Sequence, residues 1–204
     1  TRGKAPAFDP FAYILEQAHS RGLEVYAWLN PYRYINSSYS SGYGNAGGDK
    51  NYENSHPDWL LEWNNGGQTW TILNPALPEV KQRIVDVIAD IMSKYDIDGV
   101  IFDDYFYQNG LPESYDAADY TKYTEGGGTL SQADWRRENV NDMVRMVNAY
   151  IKSTKPWVRF GIGPAGVAGK PEVTAKYGLP ACPGSDWQYN GISSDPLAWR
   201  DRKS

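Results

Sequence analysis

Cysteine and histidine are scarce in this sequence. Among its 204 residues there are one cysteine, Cys182, and two histidines, His19 and His56. A single cysteine excludes an intramolecular disulfide and any metal knuckle built from several cysteines. A metal-dependent deacetylase is also disfavoured, because such a site combines aspartates with clustered histidine ligands. We therefore expect no metal and no other cofactor.

Long apolar runs and an excess of basic residues are absent as well. No stretch approaches the roughly 20 apolar residues that a membrane-spanning helix needs. Lys and Arg together number 20 against 25 Asp and Glu, which leaves a formal net charge of -5. Proteins that track nucleic-acid phosphates need clustered basic side chains. We therefore expect the partner to be neither a nucleic acid nor an anionic membrane.

Aromatic residues, in contrast, are abundant. The chain has 8 Trp and 16 Tyr, and several of its aromatics lie in the polar stretch SSYSSGYGNAGGDKNYENSHPDW, residues 37–59. Aromatic rings in such a stretch have less core to join, and their flat apolar faces suit the face of a sugar ring. The abundance favours a carbohydrate ligand, and an aromatic-rich core is the alternative explanation.

Helical and strand patterns alternate three times along the chain. Apolar spacing predicts helices over residues 9–21, 78–95 and 134–153. Each helix precedes a β-rich run, at 23–30, 98–104 and 157–163. This alternation is typical of an α/β fold whose strands lie parallel and adjacent in that order, with the helices outside. Without an obvious linker, we expect a single domain over residues 1–204.

The remaining segments have weaker patterns. Residues 31–77 contain a long polar loop, and a second, glycine-rich loop covers 108–130. Beyond residue 165, the stretch SDWQYNGISSDPLAW indicates one more short strand and a helix that begins at Asp195 and Pro196. The loops that follow strands are therefore longer than those that precede them.

Polar and special residues collect where the predicted strands end. These ends read Asn30-Pro31-Tyr32-Arg33, Asp103-Asp104-Tyr105 and Gly163-Pro164-Ala165. In parallel α/β folds the loops at the carboxyl ends of the strands build the active site. Asp103 and Asp104 are the candidate catalytic residues. Neighbours on a strand point to opposite faces, and we expect Asp103 to face the substrate.

The competing interpretation makes both aspartates structural. In that case their carboxylates accept hydrogen bonds from the backbone or from arginine at the strand end. If Asp103 is the nucleophile, we still expect Arg136 or Arg137 to neutralise Asp104 and hold it in place. Asp134 is expected to cap the helix that carries both arginines. His19 is expected to be structural too.

Six further residues are candidates for substrate binding, because sugars are held by stacked rings and by amide, guanidinium or imidazole groups. Three of them have an alternative: Trp28 as core, His56 as loop packing, and Trp187, like Tyr189 near it, as ordinary packing. The set is Trp28, Asn30, Arg33, His56, Tyr105 and Trp187.

Five separated motifs occur within residues 8–168: EQAHSRGLEVYAWLNPYR, HPDW, LNPALPEVKQRIVDVIADIMSKYDIDGVIFDDYFY, DWRRENVN and KPWVRFGIGPAGV. Together they resemble one bacterial family, the glycosyl hydrolase-like 10 family. The resemblance implies a (β/α)8 TIM barrel that hydrolyses a bacterial or dietary polysaccharide, in some members denuded peptidoglycan strands. It also implies an extracytoplasmic location. DGVIFD is similar to the fourth-strand motif of retaining barrel glycosidases such as the amylase superfamily, which implies that Asp103 is the nucleophile.

The sequence departs from the pattern of a complete barrel glycosidase in two respects. A full barrel takes about 250 residues, so we expect this chain to be the middle part of a barrel, with free sheet edges that associate with further barrel segments or another copy. The strand WVRFGIGP also ends without the Glu that would serve as general acid. Glycoside hydrolysis needs two carboxyl groups, and the candidates for the second are Asp104, Glu113, Asp186 and Asp195. A carbohydrate-binding protein without catalysis is the alternative function.

Overall fold

The computed structural model describes residues 7–36, 52–167, 169–181 and 184–200. Six strands are present there: β1 Tyr26–Leu29, β2 Arg33–Asn36, β3 Leu60–Asn65, β4 Gln68–Leu73, β5 Gly99–Asp103 and β6 Arg159–Gly163. The α-helices are α1 Pro10–His19, α2 Tyr52–Ser55, α3 Pro78–Lys94, α4 Ala117–Glu125, α5 Gln132–Thr154, α6 Pro171–Lys176 and α7 Pro196–Trp199. Short 3-10 turns cover Pro57–Trp59 and Glu113–Tyr115, and Trp187–Gly191 is a π-helical turn. The fold is mixed α/β.

The three predicted strands form one parallel sheet in the order β1, β5, β6. Tyr26 is paired with Gly99, and Gly99 with Arg159. The predicted direction and order of these strands are confirmed. Because the strands are parallel and in register, the residues that follow them meet at one edge of the sheet.

Helices α3 and α5 cover one face of this sheet. Val100 and Phe102 of β5 are fully buried there, as are Ile88 of α3 and Val147 and Ile151 of α5. Their spacing follows the helical and strand periods, which is why the sequence predicts these elements. Burying an apolar side chain of this size stabilises the fold by about 1.5–3 kcal/mol.

The other face of the sheet carries no helix among the described residues. Trp28 is 73% exposed there, and its neighbour Ile101 on β5 is only partly buried. The two faces of one sheet therefore differ sharply in burial. Large exposed apolar residues also occur on α1, where Tyr13 and Ile14 are more than half exposed.

The prediction of a polar loop over residues 31–77 is wrong for the part that is described. β2, β4 and β3 form a second, antiparallel sheet. β3 and β4 are joined by Gly66 and Gly67, both with positive φ, and Asn65 pairs with Gln68. A two-residue loop of this kind favours glycine, and two glycines between β-rich runs were a usable signal. The aromatic residues Tyr39 and Tyr43 of the polar stretch lie outside the described residues.

Three other predictions about local structure need correction. The glycine-rich loop predicted over residues 108–130 contains the helix α4. Ser131, not Asp134, caps α5, because the Ser131 side chain accepts a hydrogen bond from the Asp134 backbone N–H. The stretch where we expected a last short strand forms the π-helical turn Trp187–Gly191 instead. The predicted helix start is confirmed, since Asp195 caps α7 and Pro196 is its first residue. No helix in the described part of the chain is long and apolar enough to cross a membrane.

Candidate functional site

Asp103 is the last residue of β5, and it is half-buried at the carboxyl edge of the parallel sheet. Asn30, just past the end of β1, donates from Nδ2 to Asp103 Oδ2 over 3.0 Å. The Tyr105 backbone N–H donates to Asp103 Oδ1 over 3.3 Å. Both carboxylate oxygens of Asp103 thus accept a hydrogen bond from the protein.

The pKa of Asp103 is raised above its ordinary value. Burial is the main cause, because it penalises the ionised form, and the nearby Asp104 adds to it. The hydrogen bond from the Tyr105 N–H, the positive charge of Arg33 and the hydrogen bond from Asn30 act in the opposite direction. A perturbed carboxyl at the carboxyl end of a parallel strand is typical of a functional site.

Arg33 lies beside Asp103 with its guanidinium 4.8 Å from the centre of the Tyr105 ring. This stacking fixes the cation against an aromatic face. Tyr105 is 51% exposed, and Arg33 is also exposed. Within the described ranges, the Arg33 guanidinium donates no hydrogen bond and forms no ion pair. Its donors are therefore accessible to a ligand.

A narrow cleft of about 20 Å³ separates the antiparallel sheet from the loop that follows β5. Its lining comes from three segments of the chain: Arg33, Trp70–Ile72 and Tyr105–Gln108. The antiparallel sheet thus forms a wall beside Asp103. Trp70 was not among the predicted site residues, because its strand had been taken for a loop.

Trp28 lies on the open face of the sheet, at the level of the residue two positions before Asp103 on β5. It is paired with Ile101, which is paired in turn with Gly161, whereas Asp103 is paired with Gly163. A Cβ atom at Gly161 would meet no other atom within 4 Å. The sheet surface beyond Ile101 is therefore open at Gly161.

Asp104 occupies the opposite side of the chain and is only 6% exposed. Its Oδ2 accepts a hydrogen bond from the Ala165 backbone N–H over 2.8 Å, and the side-chain amide of the fully buried Gln188 lies 3.4 Å from the same oxygen. Asp104 thereby links the end of β5 to the loop after β6. No motif marked Ala165 or Gln188 as its partners.

The prediction that Arg136 or Arg137 pairs with Asp104 is wrong. Arg136 binds Asp116 through two hydrogen bonds of 2.7 and 2.6 Å. Arg137 binds Asp134 over 2.7 Å, and its guanidinium lies 4.0 Å from the centre of the Tyr189 ring. Arg136 thus binds the loop that follows β5, whereas Arg137 binds its own helix and the π-helical turn.

The remaining candidates for substrate binding, His56 and Trp187, have no described contact with Asp103 or its partners. The His56 ring stacks on Trp59 with ring centres 4.0 Å apart. Trp187 is half-buried in the π-helical turn next to Gln188. The structure therefore brings together Trp28, Asn30, Arg33, Asp103 and Tyr105 only.

Three candidates for the second carboxyl group also lie elsewhere. Glu113 is exposed at the start of a 3-10 turn. Asp186 forms an ion pair with Lys170, which holds its pKa below the ordinary value. Asp195 caps α7 and accepts a hydrogen bond from the Tyr177 hydroxyl. Asp104, as the chain neighbour, is thus the described carboxyl nearest to Asp103 in the sequence.

Comparison with known proteins finds one matching family and several similar bacterial proteins. The family described as glycosyl hydrolase-like 10 matches residues 1–204. Glycosyl hydrolase YngK of Bacillus subtilis (strain 168) is 40% identical over 169 residues, which cover 81% of this chain and 31% of YngK. Glycosyl hydrolase DigH of Escherichia coli (strain K12) is 38% identical over 177 residues, which cover 81% of this chain and 38% of DigH. The chain spans about a third of the length of these curated relatives.

Solved structures give a more distant likeness. The α-galactosidase from Lactobacillus brevis has a TM-score of 0.44 and 17% sequence identity, over 76% of this chain and 18% of that one. The GH36 α-galactosidase AgaA from Geobacillus stearothermophilus has a TM-score of 0.43 and 18% identity, over 76% and 19% of the two chains.

Proposed function

Because the chain belongs to the glycosyl hydrolase-like 10 family, we propose that it carries the catalytic edge of a glycoside hydrolase, with Asp103 as nucleophile or base. The observation that supports this role is the setting of Asp103. It is half-buried at the carboxyl end of a parallel strand, is held by Asn30 and lies beside the accessible guanidinium of Arg33. Such a carboxylate can attack a sugar carbon or activate a water molecule.

The groups around Asp103 are suited to a sugar. The Arg33 guanidinium can donate to hydroxyl or carboxylate oxygens of a glycan, and the exposed rings of Tyr105 and Trp28 can stack on pyranose faces. The substrate proposed is a bacterial or dietary polysaccharide, such as the glycan strands of peptidoglycan. We also propose that His56 and Trp187 contact more distant sugar units.

The open face of the parallel sheet supports a larger barrel. β1 and β6 are the outer strands of this sheet, and the exposed Trp28 lies on the face opposite to α3 and α5. In a (β/α)8 barrel that face is the interior, and further strands would pair with the edges of β1 and β6. We therefore propose that residues 1–204 form one part of a TIM-barrel domain in an extracytoplasmic protein.

The test is Asp103→Asn in the full-length protein, assayed on purified glycan strands and polysaccharides by release of reducing ends. The change keeps the shape of the side chain and removes its charge. We expect turnover to fall by about a thousandfold or more, with unfolding behaviour and glycan binding retained. Asn64→Ala, on the exposed hairpin, is the control and should keep full activity. Unchanged turnover in Asp103→Asn would refute the assigned role.

A carbohydrate-binding function without catalysis is the second candidate. It is favoured by the position of Asp104, which is buried on the opposite side, so that no described carboxylate faces Asp103 across an open space. Such a protein would bind glycan and release no reducing ends, and Asp103→Asn would then alter affinity alone. The same assay, run with a parallel binding measurement, separates the two functions.

A further inference from the structure

We infer that Asn30 is a positioning residue, which presents a fixed hydrogen-bond donor to Asp103 and thereby favours its ionised form. This inference rests on the proposed function of Asp103. Asn30 was predicted from its place in the sequence as a substrate contact. In the structure its Nδ2 is instead bound to Asp103 Oδ2 at 3.0 Å.

The orientation of the Asn30 amide is determined from its other side. Asn30 Oδ1 accepts a hydrogen bond from the Arg33 backbone N–H over 3.0 Å. With the oxygen engaged by a donor, the amide nitrogen must be the atom that faces Asp103. If the Asn30 amide were rotated by half a turn, it would lose the hydrogen bond from the Arg33 N–H, and its oxygen would face the Asp103 carboxylate. The donor presented to Asp103 is therefore fixed by the backbone of the next turn.

The turn that holds this arrangement is itself anchored. Pro31 follows Asn30 and restricts its backbone to extended conformations. Tyr32 is completely buried, and its carbonyl accepts a hydrogen bond from the Leu73 N–H over 2.8 Å. The Arg33 N–H is thus held in place by its chain neighbours, and the Asn30 amide with it.

A hydrogen bond donated to a carboxylate favours the charged form. The other groups that act on this carboxyl are the Tyr105 N–H and the Arg33 guanidinium, which also favour the charge, and the Asp104 carboxylate, which opposes it. Burial opposes it as well. Asn30 therefore biases Asp103 toward the state that a nucleophile or base requires, and against that of a general acid.

The experiment compares Asn30→Ala and Asn30→Asp in the full-length protein, with Asn64→Ala as the control. For Asn30→Ala we expect kcat to fall about ten- to hundredfold, because a hydrogen bond to a charged group is lost, with little change in KM. The acidic limb of the kcat/KM profile should move to higher pH. Asn30→Asp should move it further, because a second carboxylate then faces Asp103.

The pKa of Asp103 is a readout that does not depend on turnover. It can be measured by carboxyl 13C NMR titration, with the Asp103 resonance assigned by its absence from the spectrum of Asp103→Asn. This pKa should rise in Asn30→Ala and stay unchanged in Asn64→Ala. A raised KM with an unmoved acidic limb would show that Asn30 binds substrate and would overturn the inference. An unmoved pKa with a lower Tm would leave Asn30 only a structural role and would overturn it too.

The failure of this inference is distinct from failure of the proposed function. If Asp103→Asn keeps full turnover, the role of Asp103 is wrong, whatever the Asn30 variants do. If Asp103→Asn is inactive while Asn30→Ala changes neither the acidic limb nor the pKa of Asp103, only the positioning role of Asn30 is wrong.

Discussion

The two ends of the parallel sheet hold their aspartates in different ways. At the amino end, Asp98 precedes β5, accepts a hydrogen bond from the Val25 N–H over 2.6 Å and lies 2.9 Å from His19 Nε2. At the carboxyl end, Asp103 has no ionic partner at salt-bridge distance among the described residues, although the cationic Arg33 lies nearby. One strand thus follows a carboxylate that is hydrogen-bonded to His19 and ends at a carboxylate without a basic side chain at that distance in the described part of the chain.

The pKa values of the two carboxyls move in opposite directions. The hydrogen bond from Val25 N–H and then that from His19 hold the pKa of Asp98 below its ordinary value. Burial raises the pKa of Asp103. A carboxylate whose hydrogen bonds outweigh its burial stabilises the fold in its charged form, whereas one whose burial outweighs its hydrogen bonds is typical of a functional site. The comparison supports the proposal that Asp98 serves stability and Asp103 serves chemistry.

The largest effect on stability is expected within the carboxyl end itself, at Asp104. Asp104→Ala leaves the Ala165 N–H without its buried acceptor. We expect the free energy of unfolding to fall by about 2–3 kcal/mol in urea titrations. Asp103→Ala, the matched control on the adjacent residue, should cost less than about 1 kcal/mol, because its charge is penalised by burial. Equal losses would remove the distinction between the two aspartates.

A smaller loss is expected at the amino end. Asp98→Ala removes the acceptor of the Val25 N–H and the partner of His19, and should lower the free energy of unfolding by about 1 kcal/mol. Turnover and the pKa of Asp103 should remain unchanged. A loss of activity at unchanged stability would contradict the division of roles between the ends.

The pH dependence of stability should differ in sign between the two aspartates. Because folding lowers the pKa of Asp98, its ionised carboxylate stabilises the fold at pH values above the unfolded pKa of about 3.9. This stabilisation is lost as the pH falls through the folded pKa. The raised pKa of Asp103 does the reverse, so that its contribution is lost as pH rises from about 3.9 through the folded pKa.

Urea unfolding at a series of acidic pH values tests this difference in sign. As the pH rises through the pKa values of the folded and unfolded states, Asp98→Asn should become less stable relative to the unmodified chain. Over the corresponding range, Asp103→Asn should become more stable relative to the unmodified chain. Shifts of the same sign in both variants would show that the two environments are not opposite.

The smallest effect is expected at Arg159, also at the amino end. Arg159 Nη1 donates to Glu24 Oε2 and to the Tyr26 hydroxyl, both over 2.8 Å, but the Arg159 and Glu24 side chains are 67% and 51% exposed. Exposed ion pairs contribute little to stability. Arg159→Ala should therefore leave Tm unchanged within error by calorimetry. A clear drop would show that this surface network helps to hold the sheet together.

Much of the fold follows from local patterns, and the exceptions have local explanations. The helical spacing of α3 and α5 and the strand period of β5 predicted the covered face, with Val100 and Phe102 buried. The antiparallel sheet was missed because β3 and β4 were assigned to the polar loop, although Gly66 and Gly67 marked the turn between them. The cap of α5 was misplaced by three residues because Ser131 and Asp134 are both good capping residues, and only the backbone geometry selects between them.

The sequence by itself determined which side of the strand each aspartate takes, because the alternation of side chains along a strand is a local property. It also determined that Asn30, Arg33, Asp103 and Tyr105 would lie at one edge of the sheet, since parallel strands end together. Only the tertiary structure decided which groups meet. Asn30 binds Asp103 across 73 residues, Asp104 binds Ala165 across 61, and Arg136 turns to Asp116. Such pairings depend on strand register and loop paths, and these are set by packing across the whole domain rather than by neighbouring residues.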